Sequence, residues 1–237
     1  MPDTAEEVAR VRSISRERAD AFAVESQRRA CQAIEDGKFA NEIVPIEVRD
    51  RKGNTSTVTE DEGPRPGTTL EKLARLRAVV KDGTVVTAGN ASSLNDGASA
   101  ILVCSQVAVE KYGLTARARV VGNAVVGLAP EVMGLGPIPA TRKLIERTGW
   151  DLEKVDAIEL NEAFASQSLA CIDELELDHE KVNAWGGAIA LGHPLGSSGS
   201  RIVITLLNRL EQEGGDRGVA TLCVGVGQGQ AMAIERV

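Results

Sequence analysis

The stretch Gly186-Gly187-Ala188-Ile189-Ala190-Leu191-Gly192-His193-Pro194-Leu195-Gly196-Ser197-Ser198-Gly199 decides how this chain is read. Glycine at this density predicts tight turns and close backbone approach. Directly after it, Arg201–Glu213 has the pattern of a long helix. His193 is locked between Gly192 and Pro194 in the loop that feeds this helix. Two readings are open. A helix N-terminus beside the imidazole favours its neutral form, which is the form a general base needs. Equally, it is a turn histidine satisfied by backbone. The other histidine, His179, lies among Asp178, Glu180 and Lys181 and reads as a solvated surface residue.

On the carboxyl side of the loop and its helix, Val219–Gly225 and Ala231–Val237 read as two strands separated by Val226-Gly227-Gln228-Gly229-Gln230. Cys223 sits near the end of the first. Taken alone it is a small core residue; the glycines after it also leave backbone open, so that Gly225 could aim an N–H at a developing oxyanion. On the amino side, Val155–Leu160 is an apolar strand and Glu162–Leu175 an Ala-rich helix. Asn161 stands between them, either as a simple helix cap or as a polar group at a strand's carboxyl end, where α/β folds place active sites. Val120–Val126 adds a strand and Ile138–Thr148 a helix. Strands alternating with helices and closing on a hairpin predict a mixed α/β sheet.

The first half is less regular. Residues 3–36 read as two helices, the second starting at Ser15 and ending at Gly37. Glu42–Arg49 suggests a short strand, and Arg49–Gly67 a long exposed connection broken by Gly53-Asn54, Pro64 and Pro66. Thr69–Val80 has an amphipathic helical pattern. Thr84–Gly97 starts strand-like and becomes a polar loop. Ala98–Ser105 reads as a buried strand and Val107–Tyr112 as a short helix ended by Gly113.

The 237 residues, 43% hydrophobic and only 3% aromatic, suffice for a core built of Ala, Val, Leu and Ile. The net charge of −7 and the lack of a basic patch argue against a nucleic-acid partner. Cys31, Cys104, Cys171 and Cys223 form no CxxC pair, disulfide framework or zinc pattern, as expected of a reducing compartment. No apolar run reaches the ~20 residues of a membrane span, and the amino end has no signal-peptide pattern. A cytoplasmic protein is expected. Two Gly-x-Gly runs, Gly134–Gly136 and Gly225–Gly227, fail as nucleotide loops: prolines crowd the first, and the second leads into a strand.

Taken together, the blocks Asn161-Glu162-Ala163-Phe164, Gly186–Gly199 and Cys223-Val224-Gly225-Val226-Gly227 resemble the thiolase superfamily in order and spacing. Thr87-Ala88-Gly89-Asn90-Ala91-Ser92, Asn95-Asp96-Gly97-Ala98 and Met133-Gly134-Leu135-Gly136-Pro137 fit the same pattern, so the resemblance covers nearly the whole chain. The tone is closest to degradative members acting on β-ketoadipyl-CoA or fatty 3-ketoacyl-CoA. The resemblance implies a thiolase-like α/β fold, with a mixed five-stranded sheet covered by helices in αβαβα layering, incomplete here. It implies a CoA-binding loop domain over 1–94, a strand and helix over 95–114 that return to the amino-terminal domain, and a carboxyl-terminal domain over 115–237.

It also implies an acyltransferase that splits 3-oxoacyl-CoA with CoA into acetyl-CoA and a shortened acyl-CoA, or runs the reverse condensation. His193 would activate the nucleophile and donate to one oxyanion hole, Asn161 would hold the water completing it, Cys223 would be the acid/base thiol, and the Gly225 N–H would serve the second hole. Arg65 would lie beside the adenine nucleotide and Ser92 beside the pantetheine arm, with Met133, Ala163 and Phe164 lining the acyl and pantetheine tunnel. Coenzyme A enters as substrate; no metal or other cofactor is implied, and dimers or tetramers are expected. The chain departs from the family in two ways. The nucleophile's Cys-Ser-Gly block does not occur in it, so the nucleophile domain is expected to be missing and the isolated chain inactive and poorly stable. Val226 stands where glycine is commoner. The alternative is a non-catalytic CoA-binding or interaction subunit that pairs with a separate amino-terminal polypeptide.

Overall fold

A computed structural model describes residues 1–237. Helix α1 (Pro2–Val11) is followed by α2 (Arg16–Glu35), which starts where the Ser15 side chain accepts the Arg18 N–H. The α2 face that turns inward carries Ala19, Ala23, Ala30 and Ala33, and such small side chains let neighbouring backbone come close. Strands β1 (Ile46–Arg49) and β2 (Thr55–Val58) form an exposed antiparallel hairpin. Its turn is held by the Asp50 carboxylate, which accepts from Lys52 N, Asn54 N and Asn54 Nδ2 at 2.8 Å each. Short α3 (Leu70–Ala74) and α4 (Gln106–Tyr112) follow, the latter closed by left-handed Gly113.

The second half is the regular part. Strand β3 (Ala118–Gly127) leads through a 3-10 turn at Pro130–Leu135 to α5 (Pro137–Thr148), then β4 (Ala157–Leu160), α6 (Ala165–Glu174), the one-turn α7 (Ala188–Leu191), α8 (Ser198–Glu213), β5 (Arg217–Val224) and β6 (Gln228–Arg236). The sheet order is β3-β6-β5-β4, with β4 parallel to β5 and the other pairs antiparallel. Every residue of β4 is buried, as expected of a strand covered on both faces. Ile158 and Leu160 join the core with Ile138, Leu144 and Ile172 of α5 and α6. Ala157, one residue out of phase, joins Ile202, Leu206 and Leu210 of α8 on the opposite face. Glu159 shares that face and meets Arg209 of α8 at 2.8 Å, both side chains 1% exposed.

The α/β mixed sheet is as the sequence implied, with physical corrections. Four strands are laddered, and the fifth is reduced to a single parallel bridge, Ile158 to Val182, because Asn183 takes a left-handed φ of 47° and turns the chain away. Residues 98–105 form no buried strand: they pair with neither sheet, and Leu102 and Val103 are 79% and 76% exposed. The first strand starts at Ile46 rather than Glu42, since the Glu42 carboxylate is drawn back onto α8. The polar 49–67 connection contains β2. The helix expected over 69–80 stops at Ala74, and its continuation makes a bridge between Ala78 and Thr87. Helix α6 starts at Ala165 rather than Glu162, because Phe164 is extended and bridged to Ala91. No helix is long and apolar enough to cross a membrane.

Candidate active site

Parallel β4 and β5 end side by side, and their carboxyl ends carry the polar residues singled out in the sequence. Asn161 follows β4, fully buried, with its N–H donated to Thr221 O of β5 at 3.0 Å. Its Nδ2 lies 3.3 Å from His193 Nε2, while Oδ1 is buried and bonded to no protein group. His193 is fixed from behind. Its N–H is shared between Asn95 Oδ1 at 3.1 Å and Ser93 O at 3.3 Å. Nδ1 is 2.6 Å from Ser198 Oγ, and that hydroxyl donates its single proton to Pro194 O at 2.9 Å. The hydroxyl can therefore only accept from the ring, which places the imidazole proton on Nδ1. Nε2 is left as a lone pair facing Asn161. Burial, and after it the Arg201 guanidinium, lowers the His193 pKa, so the imidazole is held neutral.

Cys223, at the end of β5, packs with Met133, Ala163 and partly buried Phe164. Ala163 N–H donates to Asn161 O at 3.1 Å, which links thiol and amide through two residues of backbone. Burial pushes the Cys223 thiol up to about 12. Beyond it the turn holds Gly225 in open space, Val226 at a left-handed φ of 68° and 84% exposed, and Gly227 against Leu128 O. Ser92 joins the same locality: its N and Oγ both donate to Ala163 O, at 3.1 and 2.9 Å.

The structure thus gathers Asn161, His193, Cys223, Ser92, Met133, Ala163 and Phe164 at one end of the sheet, with Gly225 beside Cys223. Arg65 is placed apart, on an exposed loop whose N–H donates to Gln27 Oε1 of α2 at 2.8 Å. That loop lies over α7, where a Cβ on Gly63 would come within 2.3 Å of Ala190 O. His179 is exposed, as expected. The four cysteines are free; Cys171 is core and Cys31 and Cys104 are half-buried. Sequence reading missed the roles of Ser198 and Asn95 in holding the imidazole. Ser198 lies five residues beyond His193, where a loop folding back on itself brings it under the ring, and no periodicity signals that. No group of three or more His, Cys, Asp or Glu side chains is placed to hold a metal ion.

A thiol and an amide at adjacent strand ends, with a neutral imidazole from the α7–α8 loop against the amide, on a mixed sheet backed by helices, define a site of the thiolase class. Residues 1–107 match the family model of the thiolase N-terminal domain and residues 114–236 that of the thiolase C-terminal domain, and the chain belongs to the thiolase family. It is 60% identical to the β-ketoadipyl-CoA thiolase of Pseudomonas aeruginosa, over 100% of this chain and 59% of that protein. It is 49% identical to the 3-oxoadipyl-CoA/3-oxo-5,6-dehydrosuberyl-CoA thiolase of Escherichia coli, over 100% and 60% of the two chains. Among solved structures it superposes on human mitochondrial 3-ketoacyl-CoA thiolase in complex with CoA with a TM-score of 0.95, at 46% identity over 99% of this chain and 58% of that one. The chain therefore spans about three-fifths of the length of these relatives.

Proposed function

We propose that this chain supplies the acid/base half of a thiolase-type acyltransferase, cleaving 3-oxoacyl-CoA with CoA to acetyl-CoA and a shortened acyl-CoA, or condensing in reverse. One observation carries the reading: His193 is held neutral with its Nε2 lone pair turned toward Asn161, which follows the strand paired with the one that carries Cys223. In the proposed cycle Nε2 takes the proton of a nucleophilic thiol, which attacks the keto carbon. The imidazolium then donates to the oxyanion together with a water held by Asn161, whose buried Oδ1 has no protein partner. Cleavage expels the acetyl-CoA carbanion, which takes a proton from Cys223, and the Gly225 N–H steadies the enolate oxygen. CoA thiol then gives its proton to the Cys223 thiolate and takes the acyl group; the nucleophile's sulfur leaves and recovers its proton from the imidazolium, completing a ping-pong cycle. A thiol raised to about 12 is protonated at neutral pH and ready to give its proton to a carbanion.

Ser92, Met133, Ala163 and Phe164 line the tunnel for the acyl group and the pantetheine arm, with Arg65 at the nucleotide end. Residues 1–94 form the CoA-binding loop domain, 115–237 the catalytic domain, and 95–114 the strand and helix that dock on a further sheet. The exposed apolar run around Leu102 and Val103 supports that docking. That sheet would also bring the nucleophile, since no Cys-Ser-Gly block lies in this chain. The same observation favours the second reading, a CoA-binding subunit without turnover. By similarity to the relatives above, the substrate is a β-ketoadipyl-type CoA thioester; CoA is the second substrate, no cofactor takes part, and the complete enzyme is a cytoplasmic dimer or tetramer.

A thiolysis assay with acetoacetyl-CoA and CoA, on this chain alone and on the polypeptide completed by the amino-terminal part of a relative, tests this. Turnover is expected only in the completed protein, and Cys223→Ala or His193→Ala should abolish it. Turnover that survives both changes removes the assigned roles.

A further inference from the structure

We propose that Glu162 is the positioning residue that sets the Asn161–His193 contact, one buried carboxylate fixing both the strand end that carries Asn161 and the one-turn helix that leads to His193. Its meaning for catalysis rests on the acyl-transfer reading above. Glu162 takes no part in the proposed chemistry, yet it is 1% exposed and its carboxyl meets only uncharged hydrogen-bond donors. Such a buried charge is costly, and packing alone would not require it. Burial raises its carboxyl overall, and hydrogen bonds from Ser26, Asn183 and the Ile189 N–H, with the Arg201 charge, offset only part of that rise.

These three donors come from different parts of the fold. Ser26 Oγ of α2 donates to Oε2 at 2.6 Å, Ile189 N of α7 to Oε2 at 3.2 Å, and Asn183 Nδ2 to Oε1 at 2.8 Å. Two of them cannot turn round and accept, one on each carboxylate oxygen: the Ile189 backbone N–H only donates, and Asn183 is fixed. Asn183 gives its second Nδ2 proton to Leu160 O at 2.7 Å and accepts Leu160 N–H on Oδ1 at 2.9 Å, so flipping its amide would break both. Ser26 Oγ already accepts Gly187 N–H at 3.2 Å. Each carboxyl oxygen therefore has to accept from a fixed donor, which an amide NH2 in either place cannot do. Through Asn183 the carboxylate fixes Leu160, the residue before Asn161. Through Ile189, and through Ser26 and Gly187, it fixes α7, which ends two residues before His193. Gly187 lies so close that a Cβ there would stand 2.2 Å from the Glu162 carboxyl carbon.

Glu162→Gln tests the proposal in the full chain. The amide keeps the shape but brings an NH2 group against a donor on whichever side it is placed. The readout is 15N NMR of the two imidazoles, with exposed His179 as internal reference. The parent should show His193 as the single Nδ1–H tautomer, titrating below the ordinary value of about 6.5. In Glu162→Gln the single-tautomer signature should be lost and the titration should move up toward that of His179. A folded variant with lower thermal stability and an unchanged His193 spectrum would reveal a scaffold residue only and overturn the proposal. If Glu162→Gln does not fold, Ser26→Ala decides: it keeps the carboxylate but cuts the link to Gly187. The same displacement in smaller degree is expected, and an unaltered His193 overturns the clamp. A parent-like His193 in a completed protein that performs no thiolysis would sink the acyl-transfer reading and leave the clamp standing.

Discussion

Glu42 gives this chain a pH dependence that runs against the usual acid denaturation. Its side chain leaves the segment between α2 and β1 and turns onto α8, where Asn208 Nδ2 donates to it at 2.8 Å and Thr205 Oγ1 at 3.2 Å. Arg117 holds the other end of the same amide, at 2.7 Å from Asn208 Oδ1, so the amide cannot rotate to offer anything else. Burial raises the carboxyl from 4.5 to about 7, against the Asn208 and Thr205 hydrogen bonds and the Arg201 charge, with Glu159 adding a small upward push. The folded chain thus holds this proton more tightly than the unfolded chain. The resulting stabilisation is complete below about 4.5 and is lost as pH rises through about 7. Each unit is about 1.4 kcal/mol, so the whole effect is at most about 3.5 kcal/mol. Urea denaturation of the parent and Glu42→Gln, from pH 5 to pH 8, measures it. Glutamine is neutral throughout, can accept from Asn208 and can donate to Thr205. It should flatten the decline and be about 1–3 kcal/mol more stable than the parent at pH 8. His193, with its lowered pKa, contributes in the opposite sense: its share is present above the ordinary value and lost on acidification. That share is common to both proteins and cancels in the difference. Parallel pH profiles, or a variant weaker than the parent at pH 8, would refute the reasoning.

Ser198→Ala leaves His193 Nδ1–H without its acceptor. It should cost about 1–3 kcal/mol in a urea melt and, in the completed enzyme, slow thiolysis about tenfold or more. Gly187→Ala forces a methyl group into the Glu162 carboxyl and should lower stability by about 1–3 kcal/mol; an unchanged melting temperature would contradict the close approach. With iodoacetamide at neutral pH, mass spectrometry should find half-buried Cys31 and Cys104 labelled well before buried Cys171 and Cys223. A thiol at about 12 is thiolate in only about one molecule in 10⁵ at pH 7. Replacing exposed Leu102 and Val103 together by Lys should make the isolated chain less prone to aggregate, read by light scattering, and should stop it docking on a further sheet.

The second half of the fold was legible because its signals are local. β4, β5 and β6 are apolar runs bounded by Gly or Asn, and α5 and α8 carry helical periodicity and end at left-handed Gly149 and Gly214. The first half was less so, for reasons its contacts supply. Glu42 looked like the start of a strand because its bond to α8 spans more than 160 residues of sequence. Ala98–Ser105 has the composition of a core strand, yet composition cannot tell whether the sheet it suits lies within the chain. His193, Asn161 and Cys223 stood out because their flanking residues are unusual. Ser198, Asn95 and Glu162 act through folded proximity and have no such flanks; only the carboxylate's place beside Asn161 offered a hint.

The β5–β6 turn has one further consequence. A β-branched residue in a left-handed conformation stores about 1–2 kcal/mol, and Val226 does so in the open, with a φ of 68° and no packing to require it. Its two neighbours are unequal: Gly227 is wedged against Leu128 O, whereas Gly225 has nothing within 4 Å of where a Cβ would sit. The turn is a loaded spring with one end bolted. Of the two, the Gly225 end beside Cys223 is the one with room to move, and the Gly227 end is the one held.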